Sequence, residues 1–151
     1  MKFWLAVSTA VNCDILTQMG RPFYALSGAG TRYAHSAQPG DKCVLYRAKG
    51  GQGGSGFIGV YEVADTAVDE PIRFPGSLRA FGTRLPWRPL ITCEENPVNI
   101  NPLVADLAFI ANKHNYGMSL RTNLQRLSEQ DFALISGRIK ENAAKVSTGA
   151  R

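Results

Sequence analysis

Arginines alternate with aromatic side chains between residues 66 and 84. The segment holds Phe74 and Phe81 together with three arginines, Arg73, Arg79 and Arg84. Guanidinium groups bind phosphate oxygens and aromatic faces stack on bases, so these residue types suit nucleic-acid recognition. A long connection in a compact domain is usually functional or disordered. The alternation favours a functional segment, and a solvated loop is the alternative.

Residues suited to covalent or metal chemistry are few and isolated. Cys13, Cys43 and Cys93 have no C-x-x-C spacing, and His35 and His114 lie far apart with no cysteine nearby. This pattern fits neither a zinc site nor a disulfide framework, and unpaired thiols are typical of a reducing compartment. No G-x-S-x-G sequence occurs. We therefore expect no catalytic residue, no metal, no cofactor and a cytoplasmic location.

A glycine-rich segment at residues 50–56 separates two β-prone runs. Residues 51–56 match G-x-G-x-x-G, but a strand follows where a phosphate-binding helix would have to begin. The predicted structure is a hairpin of Lys42–Arg47 and Phe57–Val63. Gly59 lies in the middle of its second strand, where a glycine marks a bend, a bulge or a close approach by a ligand or another backbone.

Size and charge bound the class of protein. The 151 residues have 44% hydrophobic composition and a net charge of +5. One globular domain suits this length, and the charge fits nucleic acid, another polyanion or an ordinary basic protein. The apolar start is too short for a signal peptide, and no run approaches the ~20 residues of a membrane span. We expect a domain over residues 1–140, a flexible tail over 141–151 and no membrane partner.

Apolar runs and turn signals predict the elements that position these residues. Asn12 is the predicted N-cap of a short helix ending at Gly20, and Thr31 opens another helix. Besides the hairpin, three strands are predicted: Phe3–Ser8, Phe23–Leu26 and Trp87–Cys93.

The second half of the chain is predicted to be mostly helical. Asn101-Pro102 starts a helix, and Ser128 caps a final one. Met118–Leu120 is predicted as a last short strand. The predicted apolar faces of the two helices are Leu103, Leu107 and Ile110, and Phe132, Ile135 and Ile139. The fold class is therefore α+β, with a curved, barrel-like β-sheet flanked by short helices.

These segments, in this order and spacing, resemble the EVE domain family of the PUA-like superfamily, which is related to the YTH domains. The resemblance covers about residues 3 to 137. It implies a PUA-like β-barrel that binds a modified base, such as a methylated one, in DNA or RNA by flipping it into a pocket. It also implies a restriction- or modification-system partner for some members. The matching segments are Phe3–Ser8 with Asn12, Pro39–Tyr46, Phe57–Val63, Asn101–Met118 and Leu127–Phe132.

The resemblance also implies site residues. Tyr24 falls where the family commonly has a tryptophan, so we expect it to stack on the base. Asn12, Ser8 and Thr9 are expected to contact the base edge. The second wall is expected from Trp87 if it is exposed rather than a core residue, or else from Phe74 or Phe81. Phosphate contacts are expected from Arg73, Arg79, Arg84 and Arg121. Relatives often have basic residues where this chain has Ser27-Gly28-Ala29-Gly30, which removes local phosphate contacts.

Two other functional classes stay open at the level of sequence. A small hydrolase acting on modified nucleosides or amides would need a positioned base or nucleophile, and the sequence indicates none. A small-ligand sensor or protein-interaction module would bind a free nucleoside strongly and DNA weakly.

Overall fold

The computed structural model describes residues 1–9, 23–26, 30–48, 54–73, 81–120 and 123–147. Six strands lie in this part of the chain: β1 (Phe3–Thr9), β2 (Phe23–Leu26), β3 (Lys42–Ala48), β4 (Gly56–Val63), β5 (Thr83–Thr92) and β6 (Leu124–Leu127). Two α-helices, α1 (Gly30–Ala34) and α2 (Glu129–Ser147), and two 3₁₀ helices, Asn101–Asp106 and Tyr116–Leu120, accompany them. The described helices include none that is long and apolar enough to cross a membrane.

The strands form one mixed sheet in the order β2-β5-β4-β3-β1-β6. β1 runs parallel to β3 and antiparallel to β6, and the remaining neighbours are antiparallel. β1 is central because its apolar run is covered on both faces, with Trp4, Leu5 and Ala6 all buried. The predicted strands at Phe3–Ser8 and Phe23–Leu26 are confirmed.

The hairpin predicted around the glycine-rich segment is confirmed as β3 and β4, which pair with Val44 opposite Val60. Gly59 sits where the sheet bends: the register shifts beside it in both neighbouring pairings. A β-carbon on Gly59 would lie 2.8 Å from Cε1 of Tyr61 and 3.3 Å from the Ile91 carbonyl oxygen. Only glycine fits there, because a β-carbon would collide with the Tyr61 ring.

The sheet curls so that its two ends meet. β2 is at one end of the strand order and β6 at the other. The Tyr24 hydroxyl on β2 nevertheless accepts a hydrogen bond from the Val7 amide on β1 at 3.1 Å. The same hydroxyl contacts the carbonyl oxygens of Val7 and Asn123, the latter at 2.7 Å. The expected α+β fold with a curved, barrel-like sheet is therefore confirmed as a six-stranded half-barrel with short helices.

Alternate residues of β1 enter two separate cores, as the two-residue period of a strand requires. On one face Leu5 packs with Ile135 and Ile139 of α2. On the other, Trp4 and Ala6 pack inside the curl with a second set of buried side chains that includes Tyr24, Tyr61, Leu85 and Trp87. The curl is thus filled by its own side chains, and α2 covers its outside.

Asp41 fastens the start of β1 to the turn before β3. Its carboxylate accepts hydrogen bonds from the Lys2 amide at 2.9 Å, the Gln38 amide at 3.0 Å and the Trp4 indole at 3.1 Å. Burial acts to raise the pKa of Asp41, but these hydrogen bonds outweigh it and hold the pKa below its usual value. The carboxylate is therefore ionised and fully engaged within the fold.

Three sequence predictions differ from the structure in the second half. Met118–Leu120 is not a strand but part of a 3₁₀ helix, and the last strand is β6. Asn101-Pro102 does open a helix, but this 3₁₀ helix ends at Asp106. Leu107 and Ile110 are buried as expected, but they lie in the segment after the helix. β5 begins at Thr83, earlier than expected, because Thr83 and Leu85 are buried against β2.

The cap of α2 is confirmed in part. The Ser128 hydroxyl accepts a hydrogen bond from the Asp131 amide at 3.1 Å. The Asp131 carboxylate does not reach back to Ser128 but accepts hydrogen bonds from the amides of Ala108 and Phe109, each at 2.9 Å.

The α2 helix continues to Ser147, past residue 140, where the flexible tail was expected to begin. The Asn142 side chain donates a hydrogen bond to the Asn96 carbonyl at 2.9 Å.

Candidate functional site

A cleft of about 640 Å³ opens where β1 and β3 end. This volume falls within the range of small-molecule binding sites. The second 3₁₀ helix and the residue before β6 complete its walls. The lining residues are Val7, Ser8, Thr9, Tyr46, Ala48, Tyr116, Gly117, Leu120 and Asn123.

The parallel pairing of β1 and β3 places these side chains together. Val7 lies opposite Tyr46, and Thr9 lies opposite Ala48. Two parallel strands finish at the same edge of a sheet, so the polar end of β1 and the aromatic end of β3 meet there. The Tyr46 ring is held edge-to-face against Phe57 at a centroid distance of 5.0 Å, which fixes its orientation.

Tyr46 is a neutral hydrogen-bonding group over the whole physiological range. Tyr46 is only 5% exposed. Burial, with the Tyr116 phenol nearby as a smaller cause, raises the pKa of Tyr46 to about 12. The Tyr46 phenol at the cleft therefore stays protonated near neutral pH.

Tyr24 supports the cleft from beneath. The residue is 1% exposed, and its hydroxyl bonds to Val7 and Asn123, which both line the cleft. The Val7 amide also donates to the Asn123 carbonyl at 2.9 Å. Tyr24 was expected as the stacking wall, and the structure places its ring in the core, with its hydroxyl fixing two wall residues.

Trp87 belongs to the same interior cluster. It stacks on Tyr24 at 5.0 Å and on Tyr61 at 4.2 Å between ring centroids, and it is 2% exposed. Its indole nitrogen is buried and has no hydrogen-bond partner among the described residues. The structure therefore brings Trp87 next to Tyr24, as expected of two walls, but packs the two rings against each other.

The other predicted site residues lie in different places, and only two of those described line the cleft. Ser8 and Thr9 line the cleft. Phe81 packs with Phe23 and Ala25 on β2 in a separate small cluster. Arg73 is exposed at the edge of the described segment. The predictions for Asn12, Phe74, Arg79 and Arg121 fall outside the described residues.

Arg84 serves to hold the connection between β4 and β5 against the sheet. Its guanidinium donates to the Glu70 and Pro71 carbonyls, each at 3.0 Å, and lies 4.7 Å from the Phe23 ring centroid. Backbone bridges between Ile72 and Phe81 fix the same connection. Arg84 and Phe81 are therefore engaged in local packing.

Among the lining residues that the sequence did not indicate, three have polar side chains: Tyr46, Tyr116 and Asn123. Tyr46 ends the apolar run of β3, and Tyr116 precedes a glycine, so both were visible within the segments that resemble the family. The signal was the position of each at the end of an element, where side chains of neighbouring elements converge. Asn123 carries no local signal, because only the pairing of β6 with β1 brings it to the cleft.

Metal-ligating side chains are not clustered in the described part of the chain. No cluster of three or more His, Cys, Asp or Glu residues that could hold a metal ion occurs there. Burial raises the pKa of the Cys43 thiol strongly and that of Cys93 to about 11. Both thiols therefore stay protonated, whereas a thiolate is the nucleophilic form.

Comparisons with known proteins place this fold. A family model of the EVE domain matches residues 2–138. The UPF0310 protein PH1033 of Pyrococcus horikoshii is 25% identical over 150 residues, which cover 89% of this chain and 97% of that protein.

Two solved structures share the fold at low sequence identity. Human THYN1 in complex with 5-methylcytosine-containing DNA matches with a TM-score of 0.60 at 11% identity, covering 93% of this chain and 98% of that one. The Mmi1 YTH domain in complex with RNA matches with a TM-score of 0.66 at 7% identity, covering 95% and 80%. Since the family model spans nearly the whole chain and the curled sheet is that of its structural relatives, the chain belongs to the EVE domain family.

Proposed function

We propose that this domain binds a nucleic acid that carries a modified base and holds that base in the cleft between β1, β3 and the second 3₁₀ helix. The observation that carries the proposal is the composition of the cleft: Tyr46 and Tyr116 line it together with Ser8 and Thr9 at the end of β1. Family membership supports it, as do the complexes of human THYN1 with 5-methylcytosine-containing DNA and of the Mmi1 YTH domain with RNA.

The proposed mechanism is extrusion of one nucleotide from its strand. Unstacking a base costs a few kcal/mol, which stacking and edge contacts inside the protein must offset. Tyr116, half-buried on its 3₁₀ helix, offers an aromatic face. Ser8 and Thr9 offer hydroxyls that can donate to or accept from the base edge. Ala48 and Leu120 offer apolar surface for a methyl group.

Shape must provide much of the discrimination. Removing one methyl group from water is worth only ~1 kcal/mol, so an apolar contact alone gives a weak preference. A fixed wall gives more, because an unmodified base then leaves a gap that the wall does not close. The bonds from Tyr24 to Val7 and Asn123 provide such fixing. The edge-reading role of Asn12 and the phosphate role of Arg121 stay predictions.

We propose that the domain binds without chemical turnover. Two observations support this: the buried thiols of Cys43 and Cys93 remain protonated, and the described residues that line the cleft include no acid, histidine or cysteine. A restriction- or modification-system partner remains a prediction. A hydrolase would be shown instead by loss of a modified oligonucleotide in the presence of the protein, if this activity copurifies with the protein.

The proposal is tested with matched single-stranded DNA oligonucleotides that contain either one 5-methylcytosine or cytosine. Wild-type protein should bind the modified strand more tightly. Tyr116→Ala should weaken that binding by about 1–3 kcal/mol, the usual value of a base–aromatic stack. Met118→Ala is the matched control, because Met118 lies on the same 3₁₀ helix, is 51% exposed and does not line the cleft.

Other modified bases in DNA and in RNA extend the same titration. A preference for any one of them that depends on Tyr116 supports the proposal. Equal affinity for every modified and plain strand, or an unchanged affinity in a folded Tyr116→Ala variant, would remove the cleft as the reader of the base.

A further inference from the structure

Arg32 and Arg126 have no carboxylate partner in the part of the chain that the structure describes. Other arginines there are engaged. Arg47 is buried and donates to the Gly54 and Glu94 carbonyls at 2.8 and 3.1 Å. Three more form ion pairs: Arg84 with Glu70, Arg88 with Glu62, and Arg138 with Glu141. Arg32 and Arg126 are both exposed.

Each of the two guanidinium groups lies over an aromatic ring. The central carbon of Arg32 is 5.6 Å from the Tyr33 ring centroid, and that of Arg126 is 5.3 Å from the Trp4 ring centroid. Stacking of this kind orients a guanidinium plane and leaves its N–H groups directed to solvent. The arrangement prepares both arginines to bind a planar or tetrahedral anion without first losing side-chain freedom.

The two arginines lie on neighbouring elements, and one of these elements, β6, begins next to the cleft. α1, which carries Arg32, packs against β6, which carries Arg126. Ala34 of α1 is buried in the same cluster as Trp4 and Leu124. Asn123 of the cleft immediately precedes β6. Arg126 is three residues further along an extended strand, which is about 10 Å at 3.3 Å per residue.

The carboxylate next to the Trp4 indole is already engaged. Asp41 is 3% exposed and bonds Lys2, Trp4 and Gln38. The Lys2 ammonium donates to the Ser36 carbonyl at 2.9 Å and adds a further positive charge. An approaching anion therefore meets two oriented guanidinium groups and no free carboxylate from Asp41.

We propose that Arg32 and Arg126, here called the arginine surface, bind phosphates of the same nucleic-acid strand whose modified base occupies the cleft. The proposal rests on the proposed function for the position of the strand. Because Arg126 lies only a few residues along β6 from the cleft, it meets a phosphate close to the bound nucleotide. A short oligonucleotide therefore binds more tightly than the free nucleoside, by contacts that do not read the base.

The test compares three probes: a single-stranded DNA 12-mer with one 5-methylcytosine, the unmodified 12-mer, and free 5-methyl-2′-deoxycytidine. The double variant Arg32→Ala/Arg126→Ala should bind both 12-mers roughly tenfold more weakly at low salt. Its slope of log affinity against log salt should fall by about 1.4, which is about 0.7 for each lost phosphate contact on a single strand. Binding of the nucleoside should not change.

The matched control is Arg88→Ala/Lys140→Ala, which removes two exposed positive charges from β5 and α2. Its salt slope should change little. Arg32→Gln/Arg126→Gln, which keeps long polar side chains, should repeat the loss, and thermal melting checks that each variant is folded. A double variant with the salt slope of the control, or one that weakens nucleoside binding as much as 12-mer binding, overturns the arginine surface.

Failure of the proposed function gives a different result. In that case the modified and plain 12-mers bind alike and Tyr116→Ala has no effect. The difference in salt slope between the arginine variant and its control still shows whether Arg32 and Arg126 bind phosphates, because it is measured on the plain strand as well. Wild-type protein that binds neither 12-mer overturns both proposals.

Discussion

Two groups of aromatic side chains lie at different places in this half-barrel and have different consequences. Inside the curl, Trp87 stacks on Tyr24 and on Tyr61, with ring centroids 5.0 and 4.2 Å apart. At the ends of β1 and β3, Tyr46 and Tyr116 border an open cleft of about 640 Å³. The interior rings cover one another's faces, whereas the cleft leaves aromatic and polar surface facing solvent.

The difference shows that an aromatic residue type alone does not indicate a binding role. A buried ring that stacks on its neighbours contributes to the free energy of unfolding through area and contact geometry. A ring at the end of an element contributes to binding when a partner strand holds it and one face stays uncovered. Substitutions in the two groups should therefore separate stability from affinity, and the following predictions go from the largest effect to the smallest.

Trp87→Ala should lower the free energy of unfolding by about 3–5 kcal/mol, the usual cost of removing a large buried aromatic side chain. Thermal melting measures this loss. Trp87→Phe keeps a ring and should cost less. Affinity for a modified oligonucleotide, measured in the fraction that remains folded, should stay near that of the wild type. A folded Trp87→Ala variant with normal melting and no binding would assign Trp87 to the site.

Tyr46 should make the protein less stable in alkali. Its pKa is raised to about 12 in the folded state and is about 10 in an unfolded chain. Between pH 10 and 12 the folded state holds the proton more tightly, so the free energy of unfolding falls as pH rises, by up to about 3 kcal/mol.

Urea unfolding at pH 8 and pH 11 measures that effect. Tyr46→Phe removes the ionisable group, so its loss of stability between the two pH values should be smaller than that of the wild type. The same alkaline loss in both proteins would show that other groups cause it. Binding to the cleft should be nearly independent of pH from 6 to 9, since the phenol stays neutral there.

Tyr24→Phe should have a small effect on stability and a visible one on the cleft. It keeps the ring on Trp87 but removes the hydroxyl that bonds Val7 and Asn123. Loss of such a bond costs about 1 kcal/mol of unfolding free energy. Affinity for the modified 12-mer should fall as well, because two wall residues lose a common support. Unchanged melting and unchanged affinity would show that the hydroxyl does not fix the wall.

Much of the sheet could be predicted from local patterns, because β1 is an apolar run, and Pro, Gly or Asp residues flank the apolar runs of β2 and of the β3–β4 hairpin. Gly59 could be predicted as a special position, since few other reasons place a glycine inside a strand. Met118–Leu120 was wrong as a strand because three residues carry too little periodicity to separate a strand from a 3₁₀ turn.

The site was harder to predict because it depends on long-range pairing. The parallel register of β1 with β3 and the return of β6 to β1 bring Thr9, Tyr46 and Asn123 together. No local pattern specifies either pairing. Tyr24 was assigned from its place in the chain, but its burial depends on the curl, which follows from Gly59 and the register shifts around it.

The pairing of β6 with β1 also governs when the cleft can appear during synthesis. Ala6 pairs with Leu124, and Asn123 closes the cleft directly before that strand. The ribosome must therefore release the chain through β6 before this wall exists, and contacts so distant in sequence form slowly. A nascent chain that has exposed only β1 to β5 lacks the Asn123 wall of the cleft. The proposed binding site thus forms only after β6 has joined the sheet.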